Sequence, residues 1–539
     1  MPTVNLNKQV VESLLGKKVP LEKLKDRISM LGTDLENITD KDITVEIFPN
    51  RPDMLSEQGF ARALSSFMSI KKGIRKYIVK KSGFSCKVEK TLDVWPYTIT
   101  AIVKDLKFNH ERIREVMQLQ EKLGTTLTRN RKKGGIGIYP LDKIKFPIRF
   151  TTMKLNEIKF RPLESKEEMT GIEILQKHSA GRKYGYILGN EKEHPVFIDA
   201  NNKIMSIPPV INSHETGKID ESTKDIFIEC SGPDLETLNT ALNIIVTSLA
   251  DLGGKIYSID VMYKNKKLAT PNLSNKTMPL NINQVNKILG LNLNEKEIKK
   301  YLMMMGLDYI NKKSIIPPYR SDILHPIDII EEIAIAYGYE NFKPELSNFS
   351  CVAEENNFEK FKRKISEIMI SLGFIEVYTF HLTNKDKINT KMNVTAEFIK
   401  LENSINEDYN SLRSWLIPSL LEVLQNNKHH DLPQKIFEIG RIFKKDKEVD
   451  RLAILICNSK TNFTEIKQVL DALFLNLGLE YEIKETNHNS FIEGRTGRIF
   501  FKGSEIAYIG EIHPAILNNW ELENPVVALE LNLSELFKK

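Results

Sequence analysis

Apolar residues recur along this 539-residue chain in two periods, one near 3.6 and one of 2, and the switches between them mark candidate helices and strands. VVESLLGKKVPLEKLKDRISMLG predicts two short helices interrupted at Gly16 and Pro20. ITVEIF alternates as a strand does, Pro49-Asn50-Arg51-Pro52-Asp53 stops it, and MLSEQGFARALSSFM resumes a helical period. Residues 84 to 268 are richer in strands, at YTITAIV, GGIGIY, YGYILG and DIFIEC, with helices at ERIREVMQLQEKLG and LETLNTALNIIVTSLADLG. In the second helix Asp234 is the capping residue, Leu238, Ala241, Leu242, Ile245 and Leu249 form the inner stripe, and Gly253 is the stop. NINQVNKILG and NEKEIKKYLMMMG predict two helices, each closed by glycine. From about 352 onward a long helix, FEKFKRKISEIMISLGF, leads into IEVYTF, SLRSWLIPSLLEVLQNN, KIFEIGRIF, RTGRIFFKGSEIAYIGEIHPAIL and VVALELNL, a mixture that fits an antiparallel sheet flanked by helices.

This length exceeds what one core accommodates and implies three or four domains. An apolar share of 41% with 27% charged residues excludes a disordered chain. No apolar run reaches a bilayer span, and MPTVNLNKQVVESLL lacks an export signal's basic-then-apolar layout, so a cytoplasmic protein is expected. Cys86, Cys230, Cys351 and Cys457 are too scattered for a zinc ribbon and are read as small core residues. The net charge of +6 permits a polyanionic partner without demanding one. The basic runs Lys71 to Lys81 and Arg129 to Lys133 read first as solvated faces or linkers.

Two places carry candidate chemistry. In IIPPYRSDILHPIDIIEEIAIAYGYE, Pro326 suits a first helical position. Asp328, Glu331 and Glu332 then fall at i, i+3 and i+4, with Asp322 just upstream. Like charges on one face repel, and a hard divalent cation, Mg²⁺ before Ca²⁺, relieves that; acidic first turns also arise from the helix dipole and capping alone. In FIDANNKIMSIPPVINSHETGKIDESTKDIFIECSG, Glu229 and Ser231 lie two apart on a strand and share a face, with Ile228 and Cys230 on the other. Ser206, Asn212, Ser213 and His214 are placed to line the same cavity, where a carboxylate and hydroxyls orient water; a solvated edge pair is the alternative. No nucleophile elbow, P-loop or Rossmann fingerprint occurs.

The run Pro-Pro-Tyr-Arg-Ser-Asp, the Glu-Glu pair and Tyr-Gly-Tyr, together with EIFPNRPDMLSEQGFARAL near the start, resemble the beta subunit of phenylalanyl-tRNA synthetase, archaeal and eukaryotic type. Four blocks match in the family's order over nearly the whole chain. The resemblance implies an α+β multidomain fold: an N-terminal α/β domain at 1–83, a strand-rich tRNA-editing domain at 84–268, a winged-helix-like module with the acidic segment at 269–346, and an inactive class II synthetase-like antiparallel sheet with helices at 347–539. It implies that Asp322, Asp328, Glu331 and Glu332 bind magnesium at the boundary with an alpha subunit in an alpha2-beta2 assembly. Glu229, Ser231 and Ser206 then occupy the editing pocket that hydrolyses mischarged tyrosyl-tRNA(Phe). ATP and phenylalanine bind on the alpha subunit, since Arg413 is followed by Ser414 and Trp415 rather than by an acidic residue, and GRTGR at 494 to 498 has the wrong glycine spacing for an adenylate site. Two departures bear on the pocket. Glu229 stands where relatives carry an aspartate, moving the carboxylate by a methylene, and Pro140 stands where they carry an acidic residue. Rival readings are a free-standing deacylase, which gains nothing from the last module, and a nucleic-acid-binding protein using the helix-turn-helix, whose second helix carries a methionine-rich face instead of reading residues.

Overall fold

The computed structural model describes residues 2–189, 191–346 and 350–538, and the chain divides into two compact units, Met1–Glu345 and Leu346–Lys539. The expected domain limit after residue 346 adjoins residues 347–349, which lie outside the described residues.

In the first unit, helices Lys8–Leu15 and Leu21–Met30 form on either side of the interruption at Gly16 and Pro20 and pack on a three-stranded antiparallel sheet. Helix Glu57–Phe67 starts at Ser56, whose hydroxyl accepts from the Gly59 N–H at 3.1 Å. Any side chain at Gly59 would meet the Asp53 carbonyl oxygen at 1.8 Å, so the Arg51-Pro52-Asp53 turn lies directly on this helix. Arg51 is buried there and grips Asp53 with two bonds of 2.8 and 2.9 Å.

A ten-stranded sheet follows. Its order runs Ile211–Asn212, Ile204–Ile207, Glu193–Ile198, Ile148–Lys154, Val79–Val88, Lys255–Met262, Tyr97–Lys104, Ile226–Gly232, Gly135–Pro140, with Lys267–Thr270 also paired to Lys255–Met262. Helix Leu235–Asp251 covers one face. Its predicted stripe of Leu238, Ala241, Leu242, Ile245 and Leu249 is fully buried, each large apolar side chain contributing about 1.5–3 kcal/mol relative to exposure. YGYILG is not a strand: Gly185–Leu188 is a short 3-10 turn. Its first glycine serves helix packing instead, because a Cβ at Gly185 would sit 3.1 Å from Leu175 Cδ2 of the neighbouring helix. The following module has helices Ile282–Leu289, Glu295–Met304 and Pro326–Tyr337 beside a small three-stranded sheet.

The second unit is built on a seven-stranded sheet ordered Ile375–Glu376, Gln434–Lys444, Lys447–Cys457, Val526–Asn532, Ser504–Ile512, Phe491–Phe501 and Glu482–Glu485. All pairings are antiparallel except the first. Separate apolar clusters cover the two faces, one with helices Asn357–Ser371 and Phe463–Leu477, the other with Ile417–Asn426 and Pro514–Asn519. Of IEVYTF only Ile375–Glu376 is a strand, and Tyr378 and Phe380 project into solvent. Cys86, Cys230 and Cys457 are buried as expected of core residues, whereas Cys351 is exposed. Among the described residues no helix is long and apolar enough to cross a membrane.

Candidate functional site

Strand Ile226–Gly232 lies between Tyr97–Lys104 and Gly135–Pro140. Its alternation works as read from the sequence: Ile226, Ile228 and Cys230 join the core beneath helix Leu235–Asp251, and Phe227 joins a different cluster on the opposite face. Glu229 and Ser231 share that second face. Register sets Tyr139 opposite Phe227, Gly137 opposite Glu229 and Gly135 opposite Ser231.

The Tyr139 hydroxyl is the hub of the site. It lies 2.9 Å from Ser206 Oγ, 3.2 Å from Asn212 Oδ1 and 3.2 Å from Glu229 Oε1. Tyr139 belongs to the last strand in the sheet order, whereas Ser206 and Asn212 sit on the first two. The sheet therefore curls until its ends meet across this hydroxyl, and Ser206 is delivered to Glu229 from the far end of the order. Gly137 makes room, since a Cβ there would stand 2.4 Å from Glu229 Oε1 and 2.6 Å from the Tyr139 oxygen. Trp95 Nε1 donates to Ser231 Oγ at 3.2 Å and fixes that side chain.

The cluster is closed to solvent: Glu229 is 2% exposed, and Tyr139, Ser206, Ser231 and Trp95 no more. The sequence suggested a lined cavity or an edge pair; these side chains are packed in the interior. Burial pushes the Glu229 carboxyl up to about 8, against the opposing hydrogen bonds of Tyr139 and Ser231. Near neutral pH it is thus largely a neutral acid. Its Oε2 is buried without a hydrogen-bond partner, the arrangement of a group with one capacity left for a ligand or water. Ser213 is buried nearby, and burial together with Arg161 and Lys218 holds His214 below the usual histidine range. The sequence reading passed over Tyr139 and Trp95 because their partners are 90 and 136 residues away.

The acidic segment departs from expectation. Pro326 does open helix Pro326–Tyr337, but the four carboxylates do not converge. Asp328 turns back and accepts from the Leu324 and His325 N–H groups at 2.8 and 2.7 Å, closing a capping box. Glu331 faces solvent. Asp322 and Glu332 are both held by buried Arg320, at 2.7 and 2.9 Å. Burial opposes ionisation of Asp322, but Arg320 outweighs it and holds the carboxyl below the usual range. Among the described residues no three His, Cys, Asp or Glu side chains are grouped to hold a metal. Asp322 and Glu332 share one guanidinium, Asp328 is turned into the helix cap and Glu331 points away, so the four do not form a Mg²⁺ donor set as they stand; the helix-dipole and capping reading accounts for Asp328, and ion pairing for Asp322 and Glu332.

The candidate adenylate arginines are similarly committed. Arg413 is buried against Glu438 at 2.7 Å and donates to the Thr379 hydroxyl and the Arg441 carbonyl. In GRTGR, Arg495 pairs with Glu511 and Arg498 with Glu505.

Comparison with known proteins fits this layout. Residues 345–533 match the family model of the phenylalanyl tRNA synthetase beta chain CLM domain, and residues 278–339 that of the tRNA synthetase B5 domain. The phenylalanine–tRNA ligase beta subunit of Pyrococcus horikoshii is 39% identical over 556 positions, with all of both chains covered. That of Archaeoglobus fulgidus is 38% identical over 546 positions, covering 100% of this chain and 99% of its own. A solved N-terminal fragment of the Pyrococcus horikoshii phenylalanyl-tRNA synthetase beta subunit superposes with a TM-score of 0.60 at 38% identity, over 62% of this chain and 99% of the fragment. The chain belongs to the family of phenylalanine–tRNA ligase beta subunits.

Proposed function

We propose that the chain works beside an alpha subunit, in an alpha2-beta2 assembly, as the partner that removes tyrosine misattached to tRNA(Phe), while ATP and phenylalanine are bound on the alpha chain. One observation carries the editing assignment: a buried phenol, that of Tyr139, is already seated on Glu229, Ser206 and Asn212. Groups so placed suit the hydroxyl that distinguishes tyrosine from phenylalanine. A pocket selecting phenylalanine rejects tyrosine only weakly, whereas a site built to hydrogen-bond the hydroxyl rejects phenylalanine strongly, because its buried polar groups would stay unpaired. Glu229 reads the tyrosyl hydroxyl or positions the attacking water, and Ser206 and Ser231 complete the polar wall.

The four-domain division fits the sheets, each of which falls within one proposed domain, 1–83, 84–268, 269–346 or 347–539, apart from Val79–Val88 and Lys267–Thr270 at the limits. The last of these reads as a class II synthetase-like module without its active centre, since Arg413, Arg495 and Arg498 are each bound to a carboxylate of their own unit. An alpha partner suits the exposed apolar side chains of that unit, Ile375, Tyr378, Phe380 and Ile405. A cytoplasmic location follows from the same role. A free-standing deacylase would have no use for residues 345–533. The test is the alpha-beta complex carrying Glu229→Ala. Charging with phenylalanine is expected to persist while tyrosyl-tRNA(Phe) is no longer cleared, and hydrolysis at the parental rate refutes the assignment.

A further inference from the structure

Two adjoining cavities open on one face of the second unit's sheet and share Trp415, Lys444, Arg451, His488 and Tyr508. One, of about 230 Å³, is faced by Lys444, Arg451 and Arg498. The other, of about 420 Å³, extends past Thr395 and Ser414. Together they reach the size range of small-molecule sites, a few hundred Å³ upward.

Their walls hold more donors than acceptors. The carboxylate between the cations is spent: Glu530 Oε1 accepts from Arg451 at 2.7 Å, and Oε2 accepts from the Leu416 and Ile417 N–H groups at 2.9 and 3.0 Å. Glu505 is taken by Arg498 at 3.0 Å. The second cavity is also lined by Lys445 and by the exposed Glu397. Arg451 Nε, Arg498 Nε and Ser414 Oγ are buried without hydrogen-bond partners, and Ser414 is 8% exposed. The Lys444 ammonium has no ion-pair partner among the described residues, and partial burial, then Arg451, draws it below the usual lysine range. His488 accepts the Ser490 N–H on Nδ1, which leaves its second ring nitrogen as a further N–H donor. Lys444 and the His488 ring, which line both cavities, are the donors left to meet an anion there, while the Arg498 guanidinium stacks on the Tyr508 ring at 3.8 Å. Trp415 and the His488 ring, centroids 5.9 Å apart, add planar walls.

We propose that this cleft binds a nucleoside phosphate, either free or as the terminal nucleotide of an RNA, with the phosphate against Lys444, Arg451 and Arg498 and the nucleoside toward Ser414 and Trp415. This is binding without group transfer, and it is independent of the editing assignment in the other unit.

Trp415 supplies the readout. It lines the cleft and is partly exposed, while the other two tryptophans, Trp95 and Trp520, are buried in apolar clusters. The full chain is titrated separately with AMP, with a short single-stranded RNA oligonucleotide and with orthophosphate, following tryptophan fluorescence. Lys444→Gln and Ser414→Ala are titrated in parallel; both side chains lack partners, and equal thermal midpoints show that the variants fold. Saturable quenching by AMP or by the RNA, weakened about tenfold by Lys444→Gln and several-fold by Ser414→Ala, supports the proposal and tells the two sources apart. Three results overturn it: no saturable response, a response to orthophosphate as strong as to AMP, or binding that neither substitution alters.

Discussion

Glu229→Gln isolates the energetic consequence of placing a carboxyl in the interior. Glutamine keeps an oxygen for the Tyr139 hydroxyl and cannot ionise. In the parent, the carboxyl titrates at the ordinary 4.5 when unfolded and at about 8 when folded. Between those values the folded chain retains a proton that the unfolded chain has released. The stability from that retained proton is fully present below about pH 4.5 and drains away as the pH rises through about 8. At about 1.4 kcal/mol per pKa unit, the full span is on the order of 5 kcal/mol, an upper bound because a buried site relaxes when charged. The glutamine variant has no such drain. Its stability relative to the parent should therefore climb by several kcal/mol between about pH 5 and about pH 9. Urea unfolding, read by hydrogen exchange in the peptide covering strand Ile226–Gly232, reports on this unit without interference from the other. Parallel pH profiles for parent and variant would refute the buried, neutral carboxyl.

Other expectations follow from the same geometry. Tyr139→Phe removes the hydroxyl shared by Ser206, Asn212 and Glu229; the unit should lose about 1–3 kcal/mol in denaturant unfolding, and tyrosyl-tRNA hydrolysis should fall with it. Gly137→Ala forces a methyl against Glu229 and Tyr139 and should cost about 1–3 kcal/mol, with editing lost and phenylalanine charging kept. Arg320→Met strands Asp322 and Glu332 as buried carboxylates, a loss of about 3–5 kcal/mol by thermal unfolding. Because Arg320 occupies the place a cation would take, millimolar Mg²⁺ should leave the parent's melting temperature unchanged but raise that of the Arg320→Met variant.

What the sequence disclosed and what it withheld divide along physical lines. Local signals were legible. Gly16 and Pro20 separate two helices, Asp234 caps a third, and the two-residue period of IFIECS assigns Glu229 and Ser231 to one face, because each depends on neighbours within a few positions. The partners of those side chains were not legible. Tyr139 meets Ser206 only because a long sheet curls until its ends touch, and no local pattern encodes that closure. The acidic segment failed differently. Spacing at 328, 331 and 332 does set a common helix face, but side-chain direction is decided by what lies nearby, an N-terminus for Asp328 and a buried Arg320 for Glu332. The arginine stood in the quoted motif, two residues before Asp322, and the alternation of charge was the available clue. YGYILG illustrates the ambiguity of aromatic, glycine-rich runs, in which helix packing competes with strand pairing.

The central claim is that this chain assists an adenylate-forming partner and forms no adenylate itself. Phenylalanine-dependent exchange of pyrophosphate into ATP measures that step apart from nucleotide binding. The purified chain alone should give no exchange above background, even if its cleft binds AMP, and exchange should appear when the alpha subunit is added. Exchange by the chain alone would contradict the account.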